Sequence, residues 1–276
     1  MLGHLLYDYL FNNKNYKLFN LSYRSPLNSS SIVCDVTLNG EFEKQVSLIR
    51  PNIIINCIGV LLKRANEKPS RTIFLNSYFP CKLSELANVL NSKLIHISTD
   101  CVFDGSKGNY SEDDVCSPID LYGKSKYLGE QLGSNNLTLR TSIIGPEIKE
   151  NGQGLFHWAM NQKSSINGYT NVYWGGVTTL QLSKVIEKSI DKQLSGLLHV
   201  TNKKKISKYD LLQLINKHFK YGKLDIKRAE VNFSDKSLTS KYNHFDDIIL
   251  DYEDMIIEMK KNILQNKNSF NYLYKT

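Results

Sequence analysis

The chain has 276 residues, of which 41% are hydrophobic and 22% are charged, and its net charge is +8 at neutral pH. This balance is typical of a globular protein with a sizeable core and excludes a disordered chain. No apolar run reaches the roughly 18 residues that a membrane span requires, and the first residues lack the layout of a signal peptide, so we expect a cytoplasmic protein without a membrane partner.

The cysteines and lysines exclude two further classes of function. The five cysteines form no Cys-x-x-Cys pair and accompany no histidine cluster, which argues against a metal site and against a disulfide framework. The lysines are spread along the chain rather than grouped on one segment, a pattern that favours a solvated basic surface over a nucleic-acid partner.

Short apolar runs alternate with amphipathic stretches through the first two thirds of the chain. Continuous Ile, Val and Leu runs are typical of parallel strands covered by helices on both faces. The pattern therefore predicts an α/β protein with a Rossmann-like doubly wound parallel sheet. The predicted strands are Tyr16–Leu21, Ser31–Cys34, Ile53–Cys57, Leu94–Ile97 and Leu137–Leu139.

The later part of the chain has a different character. It predicts a helix over 179–192, a strand over 197–200, a helix from Ser207 to Phe219 with Ser207 as its N-cap, and a final helix after Asp251. We expect a first domain over 1–151 and a smaller lobe over 152–276 that is interleaved with the last strands of the sheet.

The strongest local signal is the segment Tyr122-Gly-Lys-Ser-Lys126, preceded by a helix start at Ser117-Pro118. A tyrosine and a lysine four residues apart project from one face of a helix. An ammonium beside a phenol lowers its pKa toward the working range, which would make an acid/base catalyst. Such a pair alone is common on helix surfaces, but a buried strand over 94–97 ends in Ser-Thr-Asp, where open α/β sheets place their ligand groups.

Three motifs together resemble the dTDP-4-dehydrorhamnose reductase family, in that family's order and spacing. They are Ser98-Thr-Asp-Cys-Val-Phe-Asp-Gly105, Tyr122-Gly-Lys-Ser-Lys126-Tyr-Leu-Gly-Glu130 and Leu139-Arg-Thr-Ser142. The resemblance implies an NAD(P)H-dependent reductase of a 4-keto nucleotide-linked 6-deoxy sugar, serving surface polysaccharide synthesis. It makes 1–151 the NAD(P)-binding domain and 152–276 the substrate-binding lobe.

The resemblance also implies roles for single residues. Tyr122 is the general acid, Lys126 tunes it and holds the nicotinamide ribose, and Thr99 orients the keto group. Thr99 and Asp100 are candidate substrate contacts. His96 and Trp174 are further candidates, although His96 lies in a strand pattern and fits a core position better. The helix that carries Tyr122 and the one around Arg71–Asn91 suggest a homodimer.

The cofactor end departs from the family pattern. Met1, Leu2 and Gly3 resemble the tail of a Gly-x-x-Gly-x-x-Gly segment, whose first strand and earlier glycines do not precede them in this sequence. Removal of a central strand would leave its neighbours without ladder partners, so we hypothesise that Met1 is an internal methionine of a longer natural protein.

Further cofactor contacts are predicted after the next strands. Arg24 lies where a cation can meet a 2′-phosphate, which favours NADP over NAD. Asp35 and Val36 resemble an adenine contact, and Cys57, Ile58 and Gly59 follow the next strand, beside the expected pyrophosphate. Arg24 as a plain loop arginine and Asp35 as a turn residue stay open.

Two other functions stay open as well. Relatives with these motifs also reduce or epimerise other nucleotide sugars, including acetamido sugars. The same fold also serves as a non-catalytic regulatory subunit in a relative of methionine adenosyltransferase.

Overall fold

The computed structural model describes residues 1–12, 15–38, 40–131, 133, 135–220 and 222–266. The helices are α1 (Leu2–Phe11), α2 (Glu41–Ile49), α3 (Leu62–Glu67), α4 (Pro69–Ile73), α5 (Phe79–Val89), α6 (Leu121–Leu128), α7 (Leu155–Asn161), α8 (Thr179–Asp191), α9 (Lys208–Ile215) and α10 (Tyr252–Gln265). The strands are β1 (Leu21–Ser22), β2 (Ile32–Val33), β3 (Ile53–Asn56), β4 (Lys93–Ile97), β5 (Leu137–Arg140), β6 (Ile143–Ile144), β7 (Ile166–Tyr169), β8 (Val172–Trp174), β9 (Val177–Thr178), β10 (Gly196–His199), β11 (Ile206–Ser207), β12 (Ile226–Ala229) and β13 (Ser234–Asp235).

The main sheet has four parallel strands in the order β10-β5-β4-β3. Its central strands are almost wholly buried on both faces, with Leu94, Ile95, Leu137 and Leu139 inaccessible to solvent. Parallel strands need helical crossovers that cover both faces of a sheet, which explains why successive side chains of these strands are buried on both faces. The predicted α/β architecture with a parallel sheet is confirmed.

The first two predicted strands are much shorter than expected. Only Leu21–Ser22 and Ile32–Val33 form strands, and these pair with each other as a separate parallel sheet. Within the described residues, β3 pairs with β4 alone, so no strand joins the two sheets. A strand gains regular geometry from ladder hydrogen bonds on both sides, and β1 and β2 have only each other.

Two apolar clusters hold the helices to the sheets. The larger joins α1 to α8 and the main sheet through residues such as Leu6, Leu10, Val185 and Ile186. The smaller packs α2 and α5 against the outer face of β4, and β1 and β2 lie along its margin. The first helix is therefore anchored to the sheet that carries the candidate site.

The C-terminal predictions are confirmed with shifted bounds. The helix over 179–191 and the strand over 196–199 match, and Ser207 Oγ accepts the Asp210 backbone N–H at 3.0 Å as an N-cap. The predicted helix from Ser207 to Phe219 instead ends at Ile215, where a π-helical turn over Asn216–Lys220 follows. Strand β10 pairs with β5, and the lobe boundary at residue 152 stays a prediction. Among the described residues we find no helix that is long and apolar enough to cross a membrane.

Candidate active site

The carboxyl end of β4 carries a cluster of buried polar side chains. Ser98, Thr99 and Asp100 follow the strand, and all three are buried. The Thr99 hydroxyl accepts the Cys101 backbone N–H at 3.1 Å and donates to Asp100 Oδ1 at 3.0 Å. These bonds cap the 3₁₀ turn over Asp100–Val102 and fix the Thr99 hydroxyl at the strand end.

Helix α6 lies directly over this turn. The helix begins at Leu121, because the Asp120 carboxylate accepts the Gly123 backbone N–H at 2.7 Å, so the predicted start at Ser117-Pro118 is a few residues too early. A Cβ atom on Gly123 would lie 2.2 Å from the Cys101 carbonyl oxygen. Only glycine therefore lets α6 approach the end of β4 so closely.

Tyr122 projects from the first turn of α6 toward Thr99. Burial raises the pKa of Tyr122 above its ordinary value, Cys101 and Asp100 raise it further, and a hydrogen bond with the Thr99 side chain acts in the opposite direction. The expected lowering of the Tyr122 pKa is therefore wrong, because desolvation outweighs the other effects and the net shift is upward. The phenol holds its proton at neutral pH.

Lys126 lies one turn further along α6 and is only 4% exposed. Its Nζ donates to the Ile97 carbonyl oxygen at 2.6 Å and lies 3.3 Å from His96 Nε2. Burial lowers the pKa of Lys126 to about 8, although Glu130 and Cys57 act to raise it. The amine can therefore exchange a proton near neutral pH.

His96, expected as a core residue, is fully buried in β4. Its Nδ1 lies 3.1 Å from Asn56 Nδ2 at the end of β3. A histidine buried in a strand of Ile and Leu needs polar partners. Its position within the apolar run therefore indicated, from the sequence alone, that His96 contacts polar groups. The partners themselves come from other elements, so the sequence did not indicate them.

Asp100 faces cations from the C-terminal part of the chain. Burial raises the pKa of Asp100, while the Thr99 hydrogen bond and the charges of Lys236 and Lys208 act to lower it. The Lys236 side chain lies along Gly105, whose carbonyl oxygen accepts the Asp235 backbone N–H at 2.7 Å. Among the described residues, neither lysine has a carboxylate partner at ion-pair distance. Sequence reasoning missed both lysines.

The structure brings two groups of predicted cofactor residues together. Met1 is the N-cap of α1 and Leu2 and Gly3 are its first residues, whereas Cys57, Ile58 and Gly59 follow β3 and are exposed. A Cβ atom on Gly3 would lie 3.5 Å from Cys57 Cβ. Cys57 is accessible, yet surrounding protein atoms raise the pKa of its thiol to about 12. The start of α1 thus adjoins the carboxyl end of β3.

The other predicted cofactor residues lie on the small sheet. Arg24 is exposed, its Nη2 donates to the Tyr23 hydroxyl at 2.9 Å, and its guanidinium lies 4.4 Å from the Tyr23 ring centroid. Asp35 accepts the Thr37 backbone N–H at 3.0 Å, which is the turn role that we left open, and the adjacent Val36 is partly buried. Arg71 of α4 also lies over the Tyr23 ring at 5.0 Å.

Trp174 was a further candidate for a substrate contact. Trp174 is buried and its indole Nε1 donates to Ser142 Oγ at 2.9 Å, so it is a core residue and not an exposed substrate contact. All five cysteines are free, and no three potential ligands among the described residues are grouped as a metal site requires.

Comparison with known proteins places this geometry in a family. Residues 6–238 match the family described as RmlD substrate binding domain. A dTDP-4-dehydrorhamnose reductase from Aggregatibacter actinomycetemcomitans is 30% identical over 224 residues, which cover 76% of this chain and 72% of that protein. Methionine adenosyltransferase 2 subunit beta from Rattus norvegicus is 26% identical over 176 residues, which cover 59% of this chain and 53% of that protein.

A solved structure shares the fold. The crystal structure of dTDP-4-dehydrorhamnose reductase from Bacillus anthracis in complex with NADP superposes with a TM-score of 0.73, and the superposition covers 83% of this chain and 87% of that chain at 23% identity. The family match spans the strand end at Thr99, helix α6 and the later lysines. Both the sequence match and the parallel sheet agree, and the chain belongs to the RmlD substrate binding domain family.

Proposed function

We propose that this chain reduces the 4-keto group of a nucleotide-linked 6-deoxy sugar, with NADPH as the preferred donor and NADH as an alternative, for surface polysaccharide synthesis. One observation carries the proposal. The hydroxyl groups of Thr99 and Tyr122 meet at the carboxyl end of β4, with the amine of Lys126 buried in the next turn of the same helix. Open α/β sheets bind ligands at this edge.

The residues support general acid catalysis. Because burial keeps Tyr122 protonated, its phenol can deliver a proton to a carbonyl oxygen as negative charge develops there. The Thr99 hydroxyl, which the turn holds in place, can orient that oxygen. Lys126, with a pKa near 8, supplies an amine that gains or loses a proton at little cost. A bound reduced nicotinamide supplies the hydride.

The residues at the end of β3 fit a dinucleotide. Cys57, Ile58 and Gly59 are exposed residues at the edge where α1 begins, and helix N-termini attract phosphate groups. Met1, Leu2 and Gly3 would hold the pyrophosphate, and Arg24 the 2′-phosphate, with Asp35 and Val36 beside the adenine. The NADP complex of the Bacillus anthracis relative supports this cofactor choice.

The substrate would lie between β4 and the later lobe. Asp100 and Thr99 face it from the strand end, and Lys208 and Lys236, which have no carboxylate partner among the described residues, suit the diphosphate of a nucleotide sugar. The name of the Aggregatibacter actinomycetemcomitans relative supports a dTDP-linked keto sugar. A different nucleotide or an acetamido sugar is the alternative substrate, and a panel of keto nucleotide sugars distinguishes them.

Replacement of Tyr122 by Phe tests the proposed reaction. Loss of the phenolic proton should lower kcat by about 10²- to 10⁴-fold with little effect on folding. The measurement is the decrease in NADPH absorbance with a 4-keto-6-deoxy nucleotide sugar. Tyr127→Phe on the exposed side of the same helix is the matched control and should retain full activity. An equal rate in Tyr122→Phe would end the assignment.

A second candidate function is supported by the similarity to methionine adenosyltransferase 2 subunit beta. In that case the chain would bind a dinucleotide and a partner enzyme without turnover. Titration with NADPH and NADH, followed by the substrate panel, separates the two functions. Tight cofactor binding without reduction of any keto sugar would favour the binding role.

We also propose a cytoplasmic homodimer. Exposed apolar side chains lie on the predicted face, namely Ile73, Tyr78 and Leu128. Sedimentation velocity tests this assembly: a monomer at micromolar concentration contradicts it.

A further inference from the structure

A buried chain of side chains links the end of β3 to Lys126. Asn56 is 3% exposed, His96 is 0% exposed and Lys126 is 4% exposed. Asn56 Nδ2 lies 3.1 Å from His96 Nδ1, and His96 Nε2 lies 3.3 Å from Lys126 Nζ. Buried polar groups are costly unless each donor meets an acceptor, so this chain restricts where protons can lie.

The backbone fixes the orientation of the Asn56 amide. Its Oδ1 accepts the Ile58 backbone N–H at 3.1 Å, so its Nδ2, which can only donate, faces His96. His96 Nδ1 must then accept. Burial, and secondarily the charge of Lys126, lowers the pKa of His96 well below its ordinary value, so the ring is neutral and its one proton lies on Nε2.

The Nε2 proton of His96 points at Lys126. An ammonium has three donors and no acceptor, so it would oppose this N–H, whereas a neutral amine accepts from it. The neutral amine still donates to the Ile97 carbonyl oxygen at 2.6 Å. Within this geometry, only neutral Lys126 satisfies every partner.

We propose that His96 is a positioning residue that presents its Nε2 proton to Lys126 and thereby favours the neutral amine, while Asn56 fixes its tautomer. The role deepens the proposed function and rests on it. The contact with His96 keeps the Lys126 amine at the Ile97 carbonyl oxygen, where the amine can exchange a proton during turnover. It also couples Lys126 to Ile58, which lies at the predicted cofactor contact.

The other groups around Lys126 favour the ammonium form. Glu130 and the Cys57 thiol both act to raise the pKa of the amine, and Tyr122 on the same helix is a neutral phenol. The Glu130 carboxylate is engaged by Arg140 at 2.7 Å and by Ser98 Oγ at 2.6 Å. The low pKa of Lys126, about 8, arises mainly from burial and agrees with the donor arrangement.

NMR of ring-¹⁵N-labelled histidine tests this inference without any turnover. The His96 signals, assigned by their loss in His96→Gln, should show a proton on Nε2 and a bare Nδ1 at about pH 9. They should also shift with a midpoint near pH 8 as Lys126 titrates, and that midpoint should vanish in Lys126→Met. A proton on Nδ1 at high pH, or a ring insensitive to Lys126, overturns the proposal even if the protein is an active reductase.

Asn56→Asp should reverse the tautomer of His96. A carboxylate at this position accepts from Nδ1, so the tautomer should switch, Nε2 should accept from the ammonium, and the Lys126 midpoint should rise by about one pH unit or more. Asn56→Ser adds no charge, and because its hydroxyl can donate to Nδ1 or accept from it, the preference for a proton on Nε2 should weaken; this variant serves if Asn56→Asp does not fold, and an unweakened preference would contradict the role of Asn56. An unchanged tautomer in Asn56→Asp contradicts the role of Asn56. Reductase assays of the same samples then judge the proposed function separately.

Discussion

At the scale of single residues, the most constrained charge pair is Arg140 with Glu130, just behind the candidate site. The pair is bidentate, with Nε to Oε1 and Nη2 to Oε2 both at 2.7 Å, and the side chains are 4% and 2% exposed. Burial acts to lower the pKa of Arg140, but the hydrogen bonds and charge of Glu130 outweigh it and raise that pKa. Each ion therefore depends on the other.

Replacement of Glu130 by Gln should lower the free energy of unfolding by about 3–5 kcal/mol, because Arg140 stays buried without its counter-ion. Urea unfolding measures this loss. Asp113→Asn breaks the exposed pair with Lys241 and is the control, expected to leave stability essentially unchanged. A similar midpoint in both variants would contradict the argument.

The free energy of unfolding should change with pH as Lys126 titrates. Its pKa is about 8 in the folded protein and 10.5 as the ordinary value, so between these values the unfolded chain binds a proton that the folded protein does not. Stability attributable to Lys126 therefore rises with pH across this window and is constant below it. From about pH 7 to about pH 11, the free energy of unfolding of the wild type should rise by about 3 kcal/mol relative to that of Lys126→Met.

Comparison with Lys126→Met removes the contributions of the other groups that titrate in this range, including the buried tyrosines, because both proteins share them. Unfolding by guanidinium at successive pH values gives the difference. A constant or falling difference would show that the amine is not desolvated in the folded protein.

At the scale of elements, α6 depends on two glycines that allow close approach. A Cβ atom on Gly123 would lie 2.2 Å from the Cys101 carbonyl oxygen, and one on Gly129 would lie 1.9 Å from the Asn76 carbonyl oxygen. Both opposing atoms are backbone, so neither can move aside by rotation of a side chain. The Gly123 contact sets the distance between α6 and the turn after β4, and the Gly129 contact sets the distance between the end of α6 and the segment Phe74–Tyr78, which carries Asn76.

Gly123→Ala should therefore displace α6, separate Tyr122 from Thr99 and lower stability by about 1–3 kcal/mol, with a larger loss of kcat than of cofactor affinity. Thermal unfolding and steady-state kinetics measure the two effects. Lys124→Ala on the exposed side of the same helix is the control for helix propensity. Normal kcat in Gly123→Ala would mean that the close approach does not position Tyr122.

At the scale of the whole molecule, the small sheet and the main sheet differ in the number of partner strands and in the burial of their side chains. Strand β5 has partners on both sides and its Leu139 is fully buried, whereas among the described residues β2 pairs only with β1 and its Val33 is 52% exposed. Local opening requires fewer contacts to break where a strand has one partner. The small sheet should open independently of the main sheet.

Amide hydrogen exchange followed by mass spectrometry tests this difference. Amides of β1 and β2 should exchange well before those of β4 and β5, and NADPH should slow the exchange of β1 and β2 selectively if Arg24 contacts the cofactor. Equal protection of both sheets would show that they unfold as one unit.

The sequence by itself determined the parallel sheet and the identity of the catalytic candidates. Short segments rich in Ile and Leu at β3, β4 and β5 are local signals, and Tyr122 and Lys126 share a helix face by their spacing alone. The sequence also placed Thr99 at a strand end, because hydroxyl and carboxylate residues directly follow the apolar run.

Only the tertiary structure decided the electrostatics of these residues. The raised pKa of Tyr122, the Asn56–His96–Lys126 chain and the approach of Lys236 to Asp100 each depend on which elements bury or face the group. Desolvation and hydrogen bonding act over a few ångströms between residues far apart in sequence, so no local pattern encodes them. In the part of the chain that the structure describes, β1 and β2 pair only with each other, and residue propensities do not report how many ladder partners a strand has.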